Sequence, residues 1–396
     1  MCSICAIYNF NGQPADERIA GKMSRTMSAR GPDGSGTYLY ENLCLAHNRL
    51  AVIDPENGKQ PMEINCFGRE YVIAYNGEIY NAPELRRRLE KLGAIFKTNC
   101  DTEVVLWTYA MYKEFAPGLL NGIFAFAVFD KTNNSLFVCR DRLGVKPLYY
   151  AVTGESVLFA SEIKALLAHP GVSRKVDLEG IWQLFFLAPA TVPGSGVFRD
   201  IKELKGGEYA IIDRNGMRIS RYWELEAKPF TGTRDEAVDT VASLLEDALR
   251  RQLVSDVPLC TFLSGGLDSS VLTALAVREY GGSGKRLSTY SFEYENNSLE
   301  KRDTLFQPTC DDDYAKRLAK ELGTDHTVLT ISPGDLALYL YKAVDARDFP
   351  GQADIDSSLL YYCEQVKKKH TVAISGECSD EIFGGYPWFY QPRMLF

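Results

Sequence analysis

Ser264-Gly265-Gly266-Leu267-Asp268-Ser269-Ser270 is the stretch that decides how the second half of the chain folds. Before it, residues 258–263 are apolar over the length of a buried strand, and after it residues 271–280 carry apolar side chains at helical spacing. The glycine pair lets the backbone approach an anion, and the amides at the helix start face it, as phosphate requires. No lysine follows the glycines, so this is not the G-x-x-x-x-G-K-[ST] loop. Downstream the period keeps switching: strand 287–292, helix 313–322, strand 327–331, helices 336–346 and 357–369, strand 371–374. Strands alternating with helices predict an α/β, doubly wound parallel sheet.

Upstream, residues 234–253 place Val238, Val241, Ala242, Leu245, Leu249 and Leu253 on one face of a long helix. Residues 224–233, polar with Lys228-Pro229 and Gly232, read as a linker. Residues 1–223 read as a β-rich α+β domain of stacked layers. Strands are expected at 3–10, 43–50, 70–75, 124–129, 135–139, 148–151, 208–212 and 218–223, and helices at 82–92, 102–112 and 162–168. The domains expected are therefore 1–223, a linker 224–233, and 234–396.

A chain of 396 residues with 45% hydrophobic and 24% charged residues is ordinary globular material for two or three domains. With 44 Lys and Arg against 52 Asp and Glu, the net charge of −8 offers no broad attraction to nucleic acid or anionic membrane. The longest apolar runs, such as 123–129 and 181–190, fall short of a membrane span. No secretory leader is visible, and ten scattered cysteines read as reduced thiols, so a cytoplasmic location is expected.

Cys2 follows the initiator Met, and removal of that Met leaves a thiol beside its own α-amine. An α-amine with a pKa of about 7.7–8.0 is partly unprotonated near neutrality and can serve as base for that thiol. Arg49 ends a strand and can clamp a carboxylate. In Tyr75-Asn76-Gly77-Glu78, the Asn amide and the Gly N–H after a strand can make an oxyanion hole. Asp101 can receive an ammonium while capping the next helix. Each also has a plain reading: a surface Arg, a hairpin turn, an N-cap. A second loop, Ser375-Gly376-Glu377-Cys378-Ser379-Asp380-Glu381, clusters acids behind the sheet and suggests Mg²⁺ coordination.

Their conjunction, with Arg30-Gly31-Pro32-Asp33 and the 140–149 stretch, which itself reads as a structural tight turn tied by Arg–Asp pairs, resembles the class II glutamine amidotransferases, which are N-terminal-nucleophile hydrolases. Residues 264–270 resemble the pyrophosphate loop of the N-type ATP pyrophosphatases. The order of the two, with 375–386 behind them, resembles the glutamine-hydrolysing asparagine synthetases. The resemblance implies a layered αββα N-terminal-nucleophile domain followed by an adenylating domain. It implies Cys2 as nucleophile with Asn76 and Gly77 at the oxyanion, and glutamine bound by Arg49, Leu50, Ala51, Val52, Ile53, Asn76, Gly77, Glu78 and Asp101. It further implies ATP at Leu263, Ser264, Gly265, Gly266, Asp268, Ser269, Ser270, Phe292, Ser375 and Gly376. Mg²⁺ would sit at Asp268 and Asp380, and Glu377 would assist acyl-adenylate formation. Glutamine and aspartate are the implied substrates, and a homodimer the implied assembly. Such synthetases continue well past this chain's last residue, so a C-terminally shortened synthetase domain is expected. Two alternatives stay open: amidation of another carboxylate, and a chain confined to glutamine hydrolysis or binding.

Overall fold

In β1 (Ser3–Asn9), Ile4, Ala6 and Tyr8 face one side and Cys5 and Ile7 the other, and all five are buried. A strand covered on both faces belongs to the interior of a layered stack. The computed structural model describes residues 1–280, 286–295 and 311–395. They divide into two units, Met1–Pro229 with Val344–Gln352, and Phe230–Ala343 with Ala353–Phe396.

The first unit holds β1 and then β2 (Gly34–Tyr40), β3 (Leu43–Arg49), β4 (Met62–Cys66), β5 (Arg69–Ile79), β6 (Gly122–Asp130) and β7 (Ser135–Arg140). It continues with β8 (Tyr149–Thr153), β9 (Ser156–Ala160), β10 (Ile201–Glu203), β11 (Glu208–Asp213) and β12 (Gly216–Arg221). They form two six-stranded sheets, ordered β10-β8-β9-β1-β3-β2 and β12-β11-β7-β6-β5-β4. Ile4, Ala6, Tyr8 and Leu45 of the first sheet meet Val72, Ala74, Ala127 and Phe129 of the second in a central core. Cys5, Ile7 and Ala46 on the outer face pack under α1 (Glu17–Thr26). Ile73, Tyr75 and Phe126 on the other outer face pack under α2 (Ala82–Lys91) and α3 (Asp101–Tyr112). The result is an αββα sandwich. Short helices α4 (Ala116–Leu119), α5 (Ile163–Leu167) and α6 (Leu178–Phe186) complete the unit. Phe349, from the distal segment of the unit, packs on the α1 side, and Asp348 pairs with Lys164 at 3.1 Å.

The second unit contains α7 (Arg234–Gln252), β13 (Leu259–Phe262), α8 (Leu267–Tyr280), β14 (Ser288–Tyr294), α9 (Asp311–Leu322) and β15 (Asp325–Ile331). Then come α10 (Pro333–Arg347), α11 (Ala353–Lys367), β16 (Val372–Ile374) and α12 (Ser379–Phe383). All strand pairs are parallel, in the order β15-β14-β13-β16. The order reverses between β13 and β16, which makes their carboxyl ends the switch point where α/β sheets take ligands.

Several expectations need correction. Asn76-Gly77 does not follow a strand or make a hairpin turn; both residues lie inside β5, opposite Ala125 and Phe124 of β6. Asp101 is the first residue of α3, whose N-cap is Cys100 with no side-chain cap bond. The apolar stripe of α7 is mostly exposed, with Leu249 its one buried residue among those described. Arg140 and Asp141 do not pair with each other to tie their turn. Arg140 pairs with Glu203 at 2.7 Å, and Asp141 accepts from the amides of Phe124, Leu143, Val145 and Lys146. The nine described cysteines are free, and Cys310 lies outside the described residues. No described helix is long and apolar enough to cross a membrane.

Candidate functional site

The first unit gathers its chemistry where β1, β3 and β5 end together. Cys2 precedes β1, and its Sγ accepts from Leu50 N at 3.3 Å and lies 3.5 Å from Leu50 O, just beyond β3. Arg30 donates to Cys2 O at 3.0 Å and pairs with Glu162 at 3.2 Å, fixing the chain terminus from the side. Asp33 holds the facing loop by accepting from Ala51 N at 2.9 Å. The Arg-Gly-Pro-Asp stretch thus braces the nucleophile's surroundings. Gly31 is required there, since a Cβ would lie 2.2 Å from the Asn48 carbonyl carbon.

Cys2, Arg49, Leu50, Val52, Ile53, Tyr75, Gly77, Glu78 and Asp101 line one pocket, with Gly58, Gln60, Cys100 and Thr102. Ala51 and Asn76 are not among the lining residues. Asn76 is 1% exposed, and its Nδ2 is a buried donor with no partner among the described residues. A buried orphan amide costs roughly 1–3 kcal/mol, so such a group asks for a missing acceptor. Gly77 admits no side chain, because a Cβ would meet Ile123 O at 2.5 Å.

Three charged side chains set the field of this pocket. Arg49 donates to Pro55 O at 2.6 Å and Asp54 O at 2.7 Å, so the guanidinium now holds the adjoining loop. Asp101 is buried and accepts from Tyr75 Oη at 2.7 Å and Ile79 N at 3.1 Å. Burial raises its carboxyl above the ordinary range, while those two donors pull it back. Glu78 is pushed well up, by burial first and then by Asp101. Two neighbouring buried acids resist joint ionisation, which is the field an arriving ammonium relieves. Burial also raises the Cys2 thiol, against the Leu50 amide and the chain's amino terminus, which lower it.

Sequence reasoning missed Gly58, Gln60, Tyr75, Cys100 and Thr102 as pocket residues. Gln60 accepts from Tyr75 N at 2.7 Å and donates to Thr102 at 3.2 Å, linking β5 to α3. Gly58 has a legible reason in hindsight: a Cβ would strike Arg49 Nη2 at 2.4 Å. His47 is no candidate base, since burial drives it down to about 4.

In the second unit, Ser264 to Ser270 runs from β13 into α8. Ser264 Oγ and Ser269 Oγ lie 2.9 Å apart and brace the turn, in which Gly265 takes a φ of +94°. Ser375 and Gly376 follow β16 directly. A Cβ on Gly376 would approach Asp268 Cβ at 3.0 Å and Ser269 N at 3.1 Å, so the two loops are in contact at the switch point. Asp268 is raised by burial first and then by the negative charge of Asp380. Hard oxygen donors held against their own repulsion fit a divalent cation. Among the described residues no cluster of three or more ligating His, Cys, Asp or Glu side chains exists. Leu263 is fully buried, against Ala315 and Ala319, so its side chain faces the core and not the loops. The Phe292 ring stacks on Tyr362 at 4.2 Å, and Glu377 is exposed.

A glutamine amidotransferase domain family matches residues 1–223, and an asparagine synthase family matches residues 240–396. The chain belongs to the glutamine-hydrolysing asparagine synthetase family. Asparagine synthetase [glutamine-hydrolyzing] 3 of Bacillus subtilis is 46% identical over 392 residues, covering 98% of this chain and 64% of its own length. Asparagine synthetase [glutamine-hydrolyzing] 1 of the same organism is 35% identical, covering all of this chain and 60% of its own length. A relative from Methanocaldococcus jannaschii is 32% identical, over 98% of this chain and 76% of that one. The chain therefore spans somewhat less than two thirds of the length of these two Bacillus proteins.

Proposed function

We propose that this chain carries out ATP-dependent amidation of L-aspartate to L-asparagine with ammonia taken from glutamine. The observation that carries the reading is the buried Asn76 amide, without a partner among the described residues, beside Gly77 in a strand next to the Cys2 pocket. With Met1 removed, the Cys2 α-amine takes the thiol proton as Sγ attacks the glutamine carboxamide carbon. Asn76 Nδ2 and Gly77 N–H receive the oxyanion. Ammonia leaves, and water releases glutamate from the thioester. Arg49 is suited to the substrate carboxylate, and Asp101 with Glu78 to its ammonium.

In the second unit, the Ser264–Ser270 loop and Ser375-Gly376 cradle the ATP phosphates. The β-carboxylate of aspartate attacks the α-phosphorus, pyrophosphate leaves, and ammonia displaces AMP from β-aspartyl-AMP. Asp268 and Asp380 would hold Mg²⁺, which supplies charge neutralisation for the departing pyrophosphate. Glu377 stands in the loop beside them as the group that assists acyl-adenylate formation. The reading places the enzyme in the cytoplasm, in keeping with its free described cysteines, and as a homodimer. Its domains are 1–223 and 234–396, joined by 224–233.

Pyrophosphate and asparagine are measured with ATP, Mg²⁺, aspartate and glutamine, for the wild type and for Cys2→Ala. Cys2→Ala should lose glutamine-dependent synthesis and keep synthesis from ammonia. Pyrophosphate release with another carboxylate but not with aspartate overturns the acceptor. Unchanged glutamine hydrolysis in Cys2→Ala overturns the nucleophile, and intact mass shows whether Met1 is gone.

A further inference from the structure

Arg140 to Tyr149 reads in sequence as a tight turn with a structural duty, and Arg140 and Asp141 fulfil it. Arg140 donates to Lys146 O at 2.7 Å and Asp141 accepts from Lys146 N at 2.9 Å, so the Lys146 backbone is held from both sides. What that brace positions is a lysine only 7% exposed. Its Nζ lies 2.9 Å from Sδ of Met1, the residue immediately before the nucleophile. An ammonium is costly to bury, and an apolar side chain of similar volume would pack there at no such cost. A turn needs no charge at this point.

The groups that face Lys146 explain the charge. Glu78 of β5, Arg30, Asp141 and Cys2 all act on it, and Glu78 in turn feels both Lys146 and the chain's amino terminus. Arg30 is already paired with Glu162. Lys146 therefore contributes its positive charge to the region where the amino terminus and the Cys2 thiol lie together. Burial itself lowers Lys146, and Glu78 opposes this.

We propose that Lys146 is a positioning residue of the glutaminase centre, keeping the α-amine of Cys2 unprotonated and its thiol ready to ionise. The inference rests on the reading of Cys2 as an N-terminal nucleophile. Once Met1 is cleaved, the space beside Nζ adjoins the new amino terminus. A like charge disfavours protonation of that amine, and the same charge favours the thiolate. Both effects carry the nucleophile–base pair toward its reactive form at neutral pH. No bond is made to Lys146, and its proton stays on Nζ throughout.

The test is the pH profile of kcat/KM for glutamine hydrolysis, from about pH 5.5 to 9, for wild type, Lys146→Met and Lys146→Arg. Alkylation of Cys2 by iodoacetamide over the same range gives a readout that needs no turnover. Lys146→Met should move the acid limb of both profiles up by roughly one unit, an approximately tenfold loss below the limb. The curves should converge at high pH with KM little changed. Lys146→Arg should restore the wild-type limb. A uniform loss with the limb unmoved, or an unmoved limb in the alkylation profile, overturns the proposal and leaves the lysine a packing role. The proposal also falls if Lys146→Met fails to fold while Lys146→Arg folds with a shifted limb. Wild-type protein that hydrolyses no glutamine overturns the parent reading instead, so the two failures are distinct.

Discussion

The two candidate centres are built on opposite plans. The glutaminase pocket is set into strands: Asn76 and Gly77 are ladder residues of β5, and Asp101 is buried against Tyr75. The nucleotide loops hang from the open carboxyl ends of β13 and β16, and Glu377 and Ser375 are exposed. The first plan fixes its donors within a strand ladder, which is what the proposed oxyanion role requires. The second leaves backbone amides and two mutually repelling carboxylates, Asp268 and Asp380, which on the proposed reading become compatible around a phosphate and its cation. Substitutions in the first centre should therefore touch stability and catalysis together, and in the second mostly catalysis.

The largest effect that sharpens this contrast is expected at the open site. Asp268→Ala should lower pyrophosphate release by about 10³-fold or more, on the scale of losing an essential electrostatic group, with glutamine hydrolysis retained. Calorimetry should find its unfolding temperature unchanged or slightly raised, because the variant removes one of two repelling carboxylates. A large destabilisation would break the comparison. Next comes Asn76→Ala, which should cost about 10²–10³ in glutaminase kcat with little change in KM. Asn76 is 1% exposed, so truncation also leaves a cavity and thermal unfolding should fall modestly.

The glycines give a matched pair of intermediate size. Gly77→Ala forces a Cβ to within 2.5 Å of Ile123 O and should cost about 1–3 kcal/mol in denaturant unfolding. Gly266→Ala meets nothing closer than Ser264 Oγ at 3.5 Å and should stay within about 0.5 kcal/mol. Equal costs would show that the two centres are not built differently. The smallest effect is a slope. Glu78 ionises with difficulty in the fold, so between its ordinary value and its raised one the folded protein binds more protons than the unfolded chain. Its contribution to stability therefore falls as pH rises above the ordinary carboxylate range. Glu78→Gln should flatten that decline in a series of melting curves, and an unaltered slope would show that the buried acid pair does not cause it.

The same contrast explains what the amino-acid order revealed. The parallel sheet was legible because β13, β15 and β16 each run into a helix within a few residues, with glycines at the β13 and β16 junctions. The layered first unit was legible in outline, since its buried strands carry continuous apolar runs. Three edge strands and one interior strand were not: β2 is rich in Gly and Ser, and β4, β10 and the interior β9 are too short to show a period. The site residues were quoted from local motifs, yet the Asn76-Gly77 turn and the Asp101 cap were misplaced. Local turn and cap preferences were overridden by the pairing of β5 with β6 and by the Tyr75 hydroxyl. Gln60 and Gly58 were invisible because their duties are to Tyr75, Thr102 and Arg49, which lie far away in sequence or across a loop.

The grip of Arg49 on the carbonyls of Asp54 and Pro55 has a kinetic consequence. The pocket beneath that loop has a volume of about 30 Å³, room for a water molecule or two and far less than an amino acid. On the proposed reading, glutamine and the loop carbonyls compete for one guanidinium, and the loop yields before a substrate carboxylate replaces them. At high glutamine the observed rate of binding then levels off at the loop's own opening rate, so a stopped-flow trace reports a property of the empty protein.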